Sequence, residues 1–178
     1  MLTGEDKKAS LLEYVTEGNT MQIGDPAWKA ELTRWVRFNR KHAARSGDGL
    51  YGGSIGSPNV PTWLGRIILG FALTPGRQNR TERAHIMGSQ GPAVIVSERD
   101  DRAHWVEAGR CYQRFALTAT SLGLQTAFAN PPVEVATLRG QLASWLGVGD
   151  GRPDLIVRFG HGPEMPRSLR RPVAEVIA

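Results

Sequence analysis

The sequence predicts an α/β fold, because strand-like and helix-like segments alternate through the second half of the chain. Residues 92–97 are apolar and rich in β-branched side chains, as in a buried strand. Residues 105–122 repeat apolar side chains at helical spacing, and residues 154–159 again have strand character. The 178 residues, 40% of them hydrophobic, are enough for one compact domain, which we expect to span residues 1–178.

Residues 1–46 predict two N-terminal helices. The first covers residues 8–15, and Gly18 with Asn19 is expected to stop it. Asp25 can cap the second helix, and Pro26 suits its first position. The apolar stripe of this second helix consists of Trp28, Leu32, Trp35, Val36 and Asn39.

Residues 47–90 are expected to be a glycine- and proline-rich loop region, and a loop this long inside a compact domain is usually functional. The apolar run at 63–73 is broken by Gly65 and Arg66 and is too short for the roughly 20 residues of a membrane span. The N-terminus lacks the pattern of a signal peptide. We therefore expect a cytoplasmic protein that does not bind membranes.

Residues 91–178 predict the α/β core. After the first strand, Asp101 can cap the long helix, which we expect to form the spine of the domain. Gly123 ends that helix, and residues 125–129 form a short strand. A further helix precedes the glycine-rich turn at 147–151, and its apolar positions are Val135, Leu138, Leu142, Trp145 and Leu146.

Few residues suit acid–base or metal chemistry. Cys111 is the only cysteine, which excludes an intrachain disulfide, and we expect it to be a small buried residue and not a nucleophile. The four histidines lack metal-ligand spacing, although His161 is a candidate for lining a ligand pocket. The net charge of +5 does not indicate nucleic-acid binding, because aromatic residues are not interleaved with the basic ones. We predict neither a catalytic side chain nor a metal ligand.

Two features near the C-terminus suggest a flavin mononucleotide (FMN) site. The segment at 122–132 is extended and stopped by two prolines, so its backbone can lie along a flat ligand. The arginine cluster at 166–172 suits a phosphate, because a guanidinium grips a dianion with paired hydrogen bonds. The alternative is that this cluster is a solvated tail.

Most of the chain resembles the flavin-dependent nitroreductase family, and specifically its Acg-like branch. The segments that carry the resemblance are ELTRWVRFN (31–39), GDGLY (47–51), PAVIVS (92–97), HWVEAGRCYQRFAL (104–117), TATSLGL (118–124), FANPPVE (128–134), RFGHGP (158–163) and RSLRRP (167–172). The resemblance implies a nitroreductase-like mixed sheet flanked by helices, with FMN bound at a dimer interface and reduced by NADH or NADPH.

The resemblance also assigns residues to the cofactor. Phe128, Ala129, Asn130 and Pro131 match the segment that passes over the flavin ring. Because Pro131 has no N–H, Ala129 or Asn130 would donate to the ring edge that becomes negative. Arg170, two residues before a proline, matches the arginine on the FMN phosphate, and the residues that would assist it are Arg167, Ser168 and Arg171.

One family motif is missing. Nitroreductases carry Arg-x-Ser/Thr-x-Arg early in the fold, and this chain has no match to it, although Arg37 or Arg45 are candidates to replace it. The chain therefore looks like the C-terminal portion of an Acg-like protein, with an incomplete nitroreductase-like domain. Two functions follow: an FMN-dependent NAD(P)H oxidoreductase that reduces nitro compounds or quinones, or a non-catalytic half-domain that completes a flavin site or lid. Either is expected as a homodimer or paired with a related half.

Overall fold

The computed structural model describes residues 1–177, which form a mixed α/β structure of eight helices, a two-stranded parallel sheet and a three-stranded antiparallel sheet. The helices are α1 (Glu5–Gly24), α2 (Pro26–Trp35), α3 (Arg40–Ser46), α4 (Thr62–Ala72), α5 (Pro75–Gly88), α6 (Arg102–Ser121), α7 (Pro131–Glu134) and α8 (Ala136–Leu146). The strands are β1 (Val36–Arg37), β2 (Leu50–Tyr51), β3 (Gly91–Ser97), β4 (Gln125–Phe128) and β5 (Arg152–Gly160).

The chain divides into two compact units. Met1–Gly24 and Pro75–Pro163 form the first, which we call the sheet unit because it holds β3, β4 and β5. Asp25–Thr74 and the chain from Glu164 onward form the second, which we call the tail unit. No helix within residues 1–177 combines the length and the apolar character needed to cross a membrane.

The three predicted strands form the sheet of the sheet unit. Their order is β3-β5-β4, and β5 is antiparallel to both neighbours. Ile156, at the centre of β5, is fully buried and joins the core formed with α1, α5 and α8. The alternation of strands and helices predicted for residues 92–159 is therefore confirmed.

The prediction that α1 stops at Gly18 and Asn19 was wrong, because the helix continues to Gly24. Gly18 is buried against Pro131, and a Cβ at this position would lie 2.8 Å from the backbone carbon of that proline. The glycine thus allows two backbones to approach closely and does not end the helix.

The long helix α6 is confirmed at its predicted position, but most of its apolar residues are not buried. Asp101 caps it, accepting a hydrogen bond from the backbone N–H of His104 at 3.0 Å. Ala108 and Ala119 are the buried residues of α6, whereas Trp105 and Leu117 are exposed. The reason is geometric: a sheet of three strands covers only a narrow stripe of a helix, and the rest of the apolar repeat stays uncovered.

The loop predicted for residues 47–90 is correct only for its first part. Beyond residue 61 the chain forms α4 and α5. Pro61 precedes α4 and provides no capping side chain, so the sequence carries no polar start signal for this helix. The apolar run that was too short for a membrane span is α4 itself.

In the tail unit, the predicted start of α2 is confirmed. The side chain of Asp25 accepts a hydrogen bond from the backbone N–H of Ala27 at 2.8 Å, and Pro26 is the first helical residue. The helix ends at Trp35, so the prediction that Val36 and Asn39 belong to its apolar stripe was wrong. Val36 instead begins β1, and Asn39 caps α3. β1 and β2 pair in parallel.

Candidate functional site

The residues assigned to the flavin ring form the end of β4 and the corner that follows it. Phe128 is the last residue of β4, and its ring lies 4.6 Å from that of Tyr112 on α6, measured between centroids. The Phe128 side chain remains 47% exposed. A flat aromatic surface is thus held in place on one side and open on the other.

Two hydrogen bonds to one residue of β5 fix this corner. The backbone N–H of Ala129 donates to the carbonyl oxygen of Ile156 at 2.9 Å. In return, the backbone N–H of Ile156 donates to the side-chain oxygen of Asn130, also at 2.9 Å. The side chain of Asn130 therefore continues the hydrogen bonding of the sheet. Of the two backbone N–H groups considered for the ring edge, that of Ala129 is bonded to Ile156, whereas that of Asn130 is not.

Pro131 fixes the corner from the other side. It begins α7 and contacts Gly18 of α1 at the close approach described above. The chain on either side of Asn130 is thus tied to the core, since Ala129 before it and Val133 three residues after it are both buried there. This part of the predicted site is therefore held by both hydrogen bonds and core packing.

The residues assigned to the phosphate lie in the tail unit. Ser168 anchors the tail, because its hydroxyl oxygen accepts a hydrogen bond from the backbone N–H of Tyr51 in β2 at 3.0 Å. The hydroxyl groups of Ser168 and Ser54 are 3.4 Å apart. The tail is therefore attached at the residue between the two assigned arginines.

Both assigned arginines are exposed. Arg167 lies 3.7 Å from the carboxylate of Glu164. Arg170 donates only long hydrogen bonds, to the backbone oxygens of Ser168 at 3.4 Å and Leu169 at 3.3 Å. Within residues 1–177, Arg170 forms no ion pair with a carboxylate. Its charge is therefore available to a dissolved anion.

The structure thus groups the predicted residues in two sets. Phe128, Ala129, Asn130 and Pro131 are contiguous in the sheet unit, and Arg167, Ser168 and Arg170 belong to the tail unit.

The other sequence candidates are at the surface. Cys111 is exposed, so its expected burial was wrong; it lies on the side of α6 that the narrow sheet leaves uncovered. His161 is exposed as well. Among residues 1–177, no cluster of three or more His, Cys, Asp or Glu side chains could hold a metal ion.

A polar cluster between α5 and β5 was not predicted from the sequence. Nδ1 of His85 lies 3.3 Å from a guanidinium nitrogen of Arg158. Burial, followed by the charge of Arg158, lowers the pKa of His85, while Glu82 opposes the shift. The lowered pKa favours the neutral imidazole, whose Nδ1 can accept a hydrogen bond from the Arg158 guanidinium. The spacing of α5 residues alone could not reveal this cluster, because its partner is 73 residues away in the sequence.

Comparisons of the chain with protein-family models, with curated proteins and with solved structures find no match.

Proposed function

We propose that this chain is a nitroreductase-type flavoprotein, an FMN-dependent NAD(P)H oxidoreductase that reduces nitro compounds or quinones. The observation that carries the proposal is the double hydrogen bond between Ile156 and the corner at Ala129 and Asn130. It holds a backbone N–H and an open aromatic surface in fixed positions, as electrostatic stabilisation of a reduced ring requires.

On the ring side, the chain's contribution is orientation and charge stabilisation. The N–H of Asn130 would donate to the ring edge that gains negative charge, because Ile156 already takes the N–H of Ala129. The exposed face of Phe128 offers an apolar contact. Bound FMN would supply the hydride chemistry itself, accepting electrons from NADH or NADPH, so no acid–base side chain is required of the protein.

On the phosphate side, Arg170 would provide the main contact, assisted by Arg167 and Ser168. Arg170 gives up only two long hydrogen bonds to rotate onto a phosphate. The Ser168 oxygen accepts from Tyr51, and its own O–H proton would exchange the long 3.4 Å contact with the Ser54 hydroxyl for a hydrogen bond to a phosphate oxygen. These residues fit a phosphate dianion.

The test is a flavin titration followed by fluorescence. Arg170→Ala should weaken FMN binding by about 1.5–3 kcal/mol, or roughly 10- to 150-fold, the range for hydrogen bonds to a charged group. Arg114→Ala on α6 is the control, because it removes the same charge from an exposed position. Equal affinities of the Arg170 variant and the wild type would show that the phosphate contact is misplaced.

A second function is favoured by the uncovered apolar surface of the tail unit. Trp63, Ile67 and Phe71 are spaced four residues apart along α4 and are all exposed, Phe71 by 77%. A half-domain that completes a flavin site or lid with a partner would present such a surface. A wild-type chain that binds no FMN in the titration would support this function and exclude the oxidoreductase.

The same surface supports a homodimer as the assembled form, or a pair with a related half. Helix α2 adds to it, because none of its residues is buried. We expect a dimer in sedimentation at micromolar concentration and a monomer for Phe71→Asp, whereas Val106→Asp, on exposed α6, should remain dimeric. A monomeric wild-type chain would contradict this expectation.

A further inference from the structure

The tail unit contains a cavity of about 620 Å³ whose lining includes none of the residues assigned to the flavin ring or its phosphate, although Arg37, a candidate replacement for the missing family motif, lies in its wall. Helices α2, α3 and α4 line it together with the segment around β1. Its polar and charged lining residues are Lys29, Thr33, Arg34, Arg37, His42, Thr62 and Arg66. The volume is within the range of small-molecule sites, about 300–1,000 Å³.

The charge of this cavity is of one sign. Its lining includes no Asp or Glu, and all of the lining residues belong to the described chain. Asp48 neutralises Arg37 from outside the lining, at 2.7 Å. Lys29, Arg34 and Arg66 form no ion pair with any residue among 1–177. Three positive charges therefore converge on one concave surface without a compensating carboxylate.

The start of α4 belongs to the same wall. Thr62, the first residue of this 11-residue helix, lines the cavity, and the preceding Pro61 makes no side-chain cap. The first N–H groups of a helix lack partners within the helix and attract anions, an effect that the helix dipole strengthens. Arg66 lies one turn further along the same helix, so the start of α4 and the Arg66 side chain face the same cavity.

The surroundings of His42 show that the electrostatic potential in the cavity is positive. Its Nδ1 is buried and has no hydrogen-bond partner among the described residues. Burial lowers the pKa of His42, and the charges of Arg37, Arg45 and Arg66 lower it further, whereas Asp48 opposes them. A bound anion would relieve this excess of positive charge and accept a hydrogen bond from the N–H of the ring.

We propose that this cavity binds a phosphorylated small molecule, held through its phosphate by Lys29, Arg34, Arg66 and the first turn of α4. Ala30, Val36 and Phe38 provide an apolar part of the wall for the organic portion of the ligand. A phosphate fits the donors better than a lone carboxylate, because it offers oxygens to several cations and to N–H groups at once. None of these residues belongs to the set assigned to FMN.

Calorimetric titration of the full chain with inorganic pyrophosphate tests the proposal. We expect saturable binding of one pyrophosphate per chain, weakened at least about tenfold by Arg66→Ala and by Lys29→Ala, which each remove a charge-assisted hydrogen bond. Both side chains are exposed at the cavity wall, so these substitutions should leave the thermal transition in place. Lys41→Ala is the matched control, because Lys41 is an exposed cation on α3 outside the lining.

The outcomes separate this site from the flavin site. Absence of saturable binding, or equal weakening by Lys41→Ala and Arg66→Ala, would overturn the proposal, because the attraction would then be general. Pyrophosphate affinity should be unchanged in Arg170→Ala, and a loss there would place the phosphate site on the tail and refute the cavity. Failure of FMN binding alone would leave the pyrophosphate result unaffected.

Discussion

Asn130→Ala should lower the stability of the chain and loosen the corner that carries the proposed site. The substitution removes the oxygen that accepts the Ile156 N–H at 2.9 Å, and Ile156 is fully buried, so water cannot replace the lost acceptor. An unsatisfied buried donor costs about 1–3 kcal/mol. With a urea slope of about 2 kcal/mol/M, a loss of about 2 kcal/mol lowers the unfolding midpoint by about 1 M.

The measurement is urea unfolding followed by circular dichroism, together with hydrogen exchange at the Ile156 amide. Asn130→Asp keeps an acceptor at the same distance and should lose less stability than Asn130→Ala. Gln113→Ala on exposed α6 controls for the removal of an amide side chain. If Asn130→Ala unfolds at the wild-type urea concentration and its Ile156 amide exchanges no faster, the side chain does not hold the corner and the reasoning fails.

Two further predictions concern packing and pH. Gly18→Ala should destabilise the chain by about 1–3 kcal/mol, because the added Cβ would lie 2.8 Å from Pro131. The control is Gly109→Ala, which has open space around it and should stabilise α6 by about 0.5–1 kcal/mol. Equal thermal transition temperatures for the two variants would contradict the close approach of Gly18 and Pro131. The hydrogen bond from Arg37 lowers the pKa of Asp48. The ionised carboxylate therefore stabilises the folded chain above the unfolded-state pKa of about 4, and this contribution is lost as the pH falls through the lower folded-state pKa. The urea midpoint of Asp48→Asn should therefore be below that of the wild type at neutral pH and approach it in acid, and a gap that persists in acid would refute the assignment.

The sequence predicted the parts of the fold that depend on local signals. Asp25, Pro26 and Asp101 start helices where capping rules place them. The strand at 92–97 was recognisable from its β-branched residues, since side-chain shape favours that backbone directly.

The sequence failed where a neighbour decides the outcome. Gly18 is compatible with a helix end and with close packing, and only Pro131, far along the chain, distinguishes the two. Helix α4 starts after Pro61 without a capping side chain. Its apolar residues were therefore considered only as a membrane span, and the helix was missed. The cationic cavity was hidden for the same reason, because Lys29, His42 and Arg66 are separated in sequence and meet only in the folded tail unit.

The sequence predicted which segment forms the candidate site, but not which of its backbone and side-chain groups bond to the sheet. Residues 128–131 were assigned from the family resemblance, within an extended run at 122–132 that is stopped by prolines. Neither signal shows which N–H group is already bonded. The structure assigns the Ala129 N–H and the Asn130 side chain to the sheet through Ile156, and so separates two roles within one residue: the amide side chain of Asn130 supports the fold, and its backbone N–H is the group proposed to face the flavin. A side-chain substitution at Asn130 leaves that N–H in the chain. Any loss of FMN affinity in Asn130→Ala must then come from misplacement of the N–H, and Asn130→Asp, which restores the acceptor, should recover part of it.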